Sequence, residues 1–456
     1  MNRICKPSQG AGKKVILWLA GVCSSLFLPV LPGCGRNRAP VAEPTAPAPE
    51  VTVTSSDAEW PLWRGPDANG ISPDASAIVT WGPEKNVLWR VALEGQGHST
   101  PIVVGQLVVL TTAVESRQQQ WVLAFDRETG QERWRGLVHE GALPRKHPKN
   151  SHASASPVSD GRNIYVLFIH HDGLYATALD FDGEIVWQEK VGTFRSEHGY
   201  GSSPALYQGR LFVNGDSLEN CFVAAVDTQT GKVLWSTPRT TTGRHGSYAT
   251  PLVVEFQGKP QLVLSGMGTT DGYDIQTGKR LWSVPGPAEV TACTPAYDGT
   301  RLFSSGGYPE KELLAIRLDR AGSGEEPVEW RSAKAVTYVP SPLYHNGRLY
   351  VVTDSGVAAC LEAATGEVVW QERLQGNFSS SPVLAGSFIY AASEEGKTYV
   401  FRAADKFELV AVNDLGEGVF ATPVICGGRI YLRTSKALYC LGPSGQVTLQ
   451  KATFAR

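Results

Sequence analysis

One pattern, repeated eight times, constrains this chain more than any other feature: Ser or Thr, then Pro, a short apolar run, a turn that usually contains glycine, and a second apolar run. The marking prolines are Pro101, Pro157, Pro204, Pro251, Pro295, Pro342, Pro382 and Pro423. Successive ones stand between 40 residues (Pro342 to Pro382) and 56 residues (Pro101 to Pro157) apart. That is enough chain for a four-stranded antiparallel sheet, and a repeat of this period reads as propeller blades. A lone blade leaves apolar faces uncovered, so the blades must stack around an axis. The expectation is all-β: one eight-bladed β-propeller over residues 86–450, rather than the two or three domains that 456 residues could hold. The 48 glycines and 29 prolines suit many short strands and turns.

A second motif closes most repeats. It reads "DRETGQERW" at 126–134, "DTQTGKVLW" at 227–235, "DIQTGKRLW" at 274–282 and "EAATGEVVW" at 362–370, with "DFDGEIVW" (180–187) one residue short and "LDRAGSGEEPVEW" (318–330) stretched. Asp bonds to nearby backbone and Gly accepts positive φ, which suits a hairpin between the third and fourth strands. The tryptophans Trp134, Trp187, Trp235, Trp282, Trp330 and Trp370 are expected to dock against the neighbouring blade, each indole N–H finding an acceptor. The last repeat stops before any tryptophan, whereas "NVLWRVAL" (86–93) is a strand with Trp89 and no repeat of its own. It is expected to complete the eighth blade, closing the ring and removing an open edge. In the seventh repeat, "AADKFELVAV" (403–412) places Leu409 near the docking position.

The first 33 residues carry Arg3, Lys6, Lys13 and Lys14 without an acid, then the apolar run "VILWLAGVCSSLFLPV" and "LPGC" ending at Cys34. This is the plan of an export signal, with Cys34 as the expected lipidation site; an uncleaved anchor is the alternative. Residues 34–58, rich in Pro and Ala, read as an extended tether, and 59–85, with Trp60 and Trp63, as a leader that packs on the propeller. Removing the signal leaves 38 basic against 44 acidic residues and moves the net charge from −2 to −6. No basic field for nucleic acid is present. Cys221, Cys293, Cys360, Cys426 and Cys440 are odd in number and scattered, so they suggest neither a disulfide framework nor a Cys-x-x-Cys metal site.

The repeats resemble the tryptophan-docking blades of quinoprotein (PQQ-binding-like) propellers, and in particular their non-enzymatic branch, typified by BamB-like outer-membrane-assembly lipoproteins. The resemblance covers about residues 86–446. It implies a lipid-anchored, monomeric scaffold at the periplasmic face of the outer or cell membrane, binding envelope proteins and requiring no cofactor. The rival it implies is a PQQ- and calcium-dependent, or metal-dependent, oxidoreductase. No adjacent cysteines and no spaced set of acids select that chemistry; Asp216, Glu219 and Asp271 are isolated. No G-x-S-x-G elbow supports a hydrolase.

Histidines decorate the entries of the first four blades: "HSTP" (98–101), "HASASP" (152–157), "HGYGSSP" (198–204) and "HGSYATP" (245–251). His98, His152, His198 and His245 should therefore lie on one face near the axis, with His170 and His171 in a loop of that face. The longest insertion, 135–150, leads there as well. With Arg195, Arg244 and Lys149 they form a candidate half-ring for an anion, a transition metal or an acidic peptide. A solvated channel is the plainer reading, because the spacing from His to Pro varies and blades five to eight carry no such histidine. A small-ligand or polysaccharide site in the same mouth is a further alternative.

Overall fold

The computed structural model describes residues 59–239 and 245–443. Its eight antiparallel sheets each contain four propeller strands. The blades run over 102–140, 158–193, 205–238, 252–285, 296–332, 343–373, 383–414 and 424–441, the last completed by Val87–Ala92. Each innermost strand begins directly after one of the eight prolines. Ring closure follows the expected route: Val87–Ala92 pairs antiparallel with Ala437–Leu441, with Trp89 opposite Cys440. Among the described residues no helix is long and apolar enough to cross a membrane.

The entry hydroxyls explain why Ser or Thr precedes each proline. An innermost strand is a sheet edge, so its backbone N–H groups lack a partner in their own blade. Here the N–H of seven of the eight entry residues reaches the next blade's hydroxyl: Thr100 to Ser156 at 2.9 Å, Ser156 to Ser203 at 2.9 Å and Ser203 to Thr250 at 2.9 Å. The series resumes with Thr294 to Ser341 at 3.0 Å, Ser341 to Ser381 at 2.9 Å, Ser381 to Thr422 at 3.0 Å and Thr422 back to Thr100 at 3.1 Å. Between Thr250 and Thr294 the direction reverses, the Thr294 hydroxyl donating to the Thr250 carbonyl at 3.3 Å. Eight links thus close a ring of hydrogen bonds about the axis.

At the outer edge, tryptophans join the same blades. Trp89, Trp134, Trp187, Trp235, Trp330 and Trp370 donate their indole N–H to Arg127, Phe181, Thr228, Ile275, Ala363 and Ala404 carbonyls. Five of these rings also lie against the turn glycine of the next blade. At Gly231, φ is +74° and an added Cβ would stand 2.8 Å from Trp187. We expect Gly231→Ala to cost about 2–4 kcal/mol, backbone strain plus overpacking, whereas Gly258→Ala, with φ +72° and no atom within 4 Å, should cost only about 1 kcal/mol. Urea denaturation of the two variants measures the difference.

Two outer positions depart from expectation. Trp282 packs with Leu302, Leu314 and Ile316 of blade five but does not donate to it: its N–H goes to Gln261 of its own blade at 2.8 Å and its ring covers Gly272. The stretched hairpin of blade five, which includes residues 322–327, lacks the Asp-x-x-Thr-Gly turn that would receive it. In blade seven, Leu409 is 46% exposed and is not at the docking position. Ala411, opposite Val400, occupies that register, as Trp235 does opposite Ala225 in blade three. The tryptophan comes instead from the leader: Trp81, 5% exposed, stacks on Tyr390 at 6.3 Å. Trp187–Tyr165, Trp235–Phe212, Trp330–Phe303, Trp370–Tyr350 and Trp89–Tyr431 make the equivalent pairs at 5.9 to 6.3 Å.

The leader also crosses the axis. Trp60 exchanges backbone hydrogen bonds with Val103 of blade one, and Pro61 accepts from Ser159 of blade two. The Arg64 guanidinium, fully enclosed, donates to the Pro342 carbonyl of blade six at 2.9 Å. Ile71–Ser72 then adds as a parallel strand to Val383–Ala385 of blade seven, and the Ser72 hydroxyl donates to Ile425 of blade eight at 2.7 Å.

Candidate functional site

On the face where the chain enters each blade, a cavity of about 540 Å³ opens at the axis. Its volume lies in the range of small-molecule sites. The leader contributes Trp63, and the hydroxyl ring contributes Thr100, Ser156, Ser203, Ser381 and Thr422. Connections between blades supply His98, His147, Lys149, His198, Tyr248, Tyr338 and Phe420.

The candidate histidines separate into groups. His98 and His198 line the cavity, joined by His147 from the 135–150 insertion. His98 stacks on Phe420 at 4.4 Å, and His198 stacks on His147 at 5.5 Å. His152 instead lines a small void behind the wall, where its Nε2 is 3.9 Å from Glu115. His170 and His171 sit together farther out, with His170 stacked on His139 at 4.5 Å. His245 pairs with Glu289 at 2.8 Å. Arg195 is exposed and 3.4 Å from Glu219, and Arg244 and Cys34 lie outside the described residues. The half-ring of the sequence reading is therefore two of its histidines plus a third it had not singled out. Each connection between blades has its own length and path, so even His198 and His245, which stand at the same distance before their prolines, point differently.

Charge in the cavity is nearly all internally matched. Burial, reinforced by Arg433, Lys146 and Lys149, lowers His98 to about 3, and burial also lowers His198, so both imidazoles are neutral at pH 7. Lys149 spans the mouth to Glu394 of blade seven, 2.7 Å away. Among the described residues Asp354 is the one carboxylate lining the cavity, and its two oxygens accept the backbone N–H groups of Tyr338 and Val339 at 2.8 and 3.0 Å. Among the described residues no three His, Cys, Asp or Glu side chains gather as metal ligands. The five described cysteines are unpaired and, apart from half-buried Cys221, buried.

Asp216 and Asp271 do not face the cavity. Both flank the buried Arg239, whose Nε is 2.9 Å from Asp216 and whose Nη1 is 3.3 Å from Asp271.

Eight blades, docking tryptophans and a mouth on the entry face define a propeller of the quinoprotein type. The chain belongs to the family described as "Outer membrane protein assembly factor BamB", whose model matches residues 72–168, 118–335 and 321–448. No curated protein matches it. Among solved structures, BamB from Moraxella catarrhalis is 14% identical with a TM-score of 0.56, over 77% of this chain and 98% of that one. Quinohemoprotein alcohol dehydrogenase ADHIIG from Pseudomonas putida HK5 is 12% identical with a TM-score of 0.61, over 88% and 82%. The quinohemoprotein alcohol dehydrogenase from Comamonas testosteroni is 14% identical with a TM-score of 0.60, over 86% and 82%. At these identities the likenesses establish the shared fold.

Proposed function

We propose that this protein is a non-catalytic, lipid-anchored scaffold of the bacterial envelope, tethered through Cys34 on the periplasmic side and binding components of outer-membrane assembly. The observation that carries the reading is the rim of blades two to four. Their outermost strands are sheet edges, and Ile185, Val186, Val233, Leu234 and Leu281 on them are each more than a third exposed. Aliphatic side chains beside unpaired backbone groups suit an added strand from a partner protein. The apolar surface thus lies mainly on strand edges rather than on loop tips. Membership of the BamB family supports the choice of partner.

The enzymatic rival requires a calcium-held quinone, and the residues at the mouth do not fit one. Calcium takes six to eight oxygen ligands, whereas among the described residues this cavity offers one carboxylate, each of whose oxygens already accepts a backbone N–H. Titration of the full chain with PQQ plus calcium, followed by calorimetry, is expected to give no saturable heat. One-to-one binding of the quinone would overturn the scaffold reading.

A further inference from the structure

The cavity at the mouth has a composition that the scaffold role does not use. Its floor holds five hydroxyls, on Thr100, Ser156, Ser203, Ser381 and Thr422. Each already accepts a backbone N–H from the adjoining blade, so its oxygen is held in place. None of the five donates its own proton to a protein acceptor among the described residues. The five O–H groups thus remain available to donate to whatever enters.

The walls are aromatic: Phe420 stacked on His98, Tyr248 beside His198, Tyr338, and Trp63 from the leader. Ionic groups contribute little, since Lys149 is paired across the mouth and both oxygens of Asp354 are engaged by backbone N–H groups. Among the described residues an anion would find no unpaired cation lining the cavity, and a cation no carboxylate free of hydrogen bonds. A lipid tail would leave the hydroxyl floor unsatisfied, at a desolvation cost. What remains is a neutral molecule with hydroxyls for the floor and an apolar C–H face for the rings.

We propose that the mouth binds an uncharged pyranose, as a free sugar or as the end of a glycan chain. A disaccharide fits the volume of about 540 Å³. This inference does not depend on the outer rim binding a protein, and the quinone titration above does not test it.

The test is calorimetry and saturation-transfer NMR on the full chain, using chitobiose, cellobiose, maltose and their hexamers, with digalacturonate as the charged counterpart. At least one neutral disaccharide should saturate a single site. Phe420→Ala and His198→Ala should each weaken that binding by ~10-fold or more, with the urea midpoint unchanged, while His198→Gln, which retains a hydrogen-bonding side chain, keeps most of it. Equal affinity for dimer and hexamer would identify the terminal unit as the ligand. A hexamer bound ~10-fold tighter would identify a polymer source. Failure of every neutral saccharide to bind, preference for digalacturonate, or binding untouched by both alanine variants would overturn the proposal.

Discussion

Replacing Trp81 with alanine is expected to destabilise the propeller by about 3–5 kcal/mol, the cost of emptying a buried tryptophan site. Trp81 is 5% exposed and packs between the last two blades, in the core that contains Trp89, Tyr390 and Tyr431. Its backbone N–H is held by Asn413 at 2.8 Å, and Asn413 in turn donates to the Val79 carbonyl at 3.0 Å. The Tyr390 hydroxyl donates to the Ile78 carbonyl at 3.1 Å, so Ile78, Val79 and Trp81 are all tied to blade seven. The indole N–H has no acceptor among the described residues, so Trp81 acts by packing, and Trp81→Phe should recover much of the loss. The seam matters beyond its area because blade eight is itself assembled from both ends of the propeller. A break there leaves blades seven and eight without their shared wall. Equilibrium urea denaturation decides the point: a loss under about 1 kcal/mol would mean that the leader merely rests on a ring complete without it.

The docking of Trp81 was not legible in the sequence, and the reason is physical. A periodic motif reveals residues that recur at a fixed offset, such as the entry prolines and the tryptophan after each Asp-x-x-Thr-Gly. Trp81 lies more than 300 residues from Ala411, the position it covers, and obeys no period. What the sequence did show was the vacancy, a seventh repeat without its tryptophan. The hydroxyl ring was half legible: Ser or Thr stands before every proline, but its bond reaches a different blade, which periodicity alone does not specify. The site histidines were the least legible. His98 and His198 reach the cavity while His152 and His245 turn elsewhere, because the connections between blades differ in length and fold individually. His147 comes from the insertion that the sequence pointed toward this face, without standing at a blade entry.

Removing the Arg239 guanidinium should cost about 3–5 kcal/mol, because it leaves two carboxylates buried without a counter-charge. Arg239, Asp216 and Asp271 are 5%, 0% and 2% exposed. Asp271 is partly served: one oxygen accepts the hydroxyls of Tyr273 and Thr269 at 3.0 Å each, while the other has no donor among the described residues. Asp216 is not: Arg239 Nε is 2.9 Å from it but off the line of the N–H, and neither carboxyl oxygen has a hydrogen-bond donor among the described residues. With two acids sharing one guanidinium, a proton on Asp216 brings the cluster to neutrality. Burial raises Asp216 to about 6, with the Asp271 charge adding to it and the Arg239 charge opposing it. The folded state then holds a proton that the unfolded chain releases near its ordinary value of 3.8. Stability from this group is complete below that value and is lost as pH rises through the folded value, between about pH 4 and 6. Asp216→Asn cannot ionise and should flatten this part of the profile, gaining on the wild type above about pH 6. The double variant Arg239→Ala, Asp216→Asn should recover part of the loss caused by Arg239→Ala. If urea midpoints measured from pH 4 to 8 show the same slope in Asp216→Asn as in the wild type, the proton resides elsewhere and Arg239 holds both acids ionised.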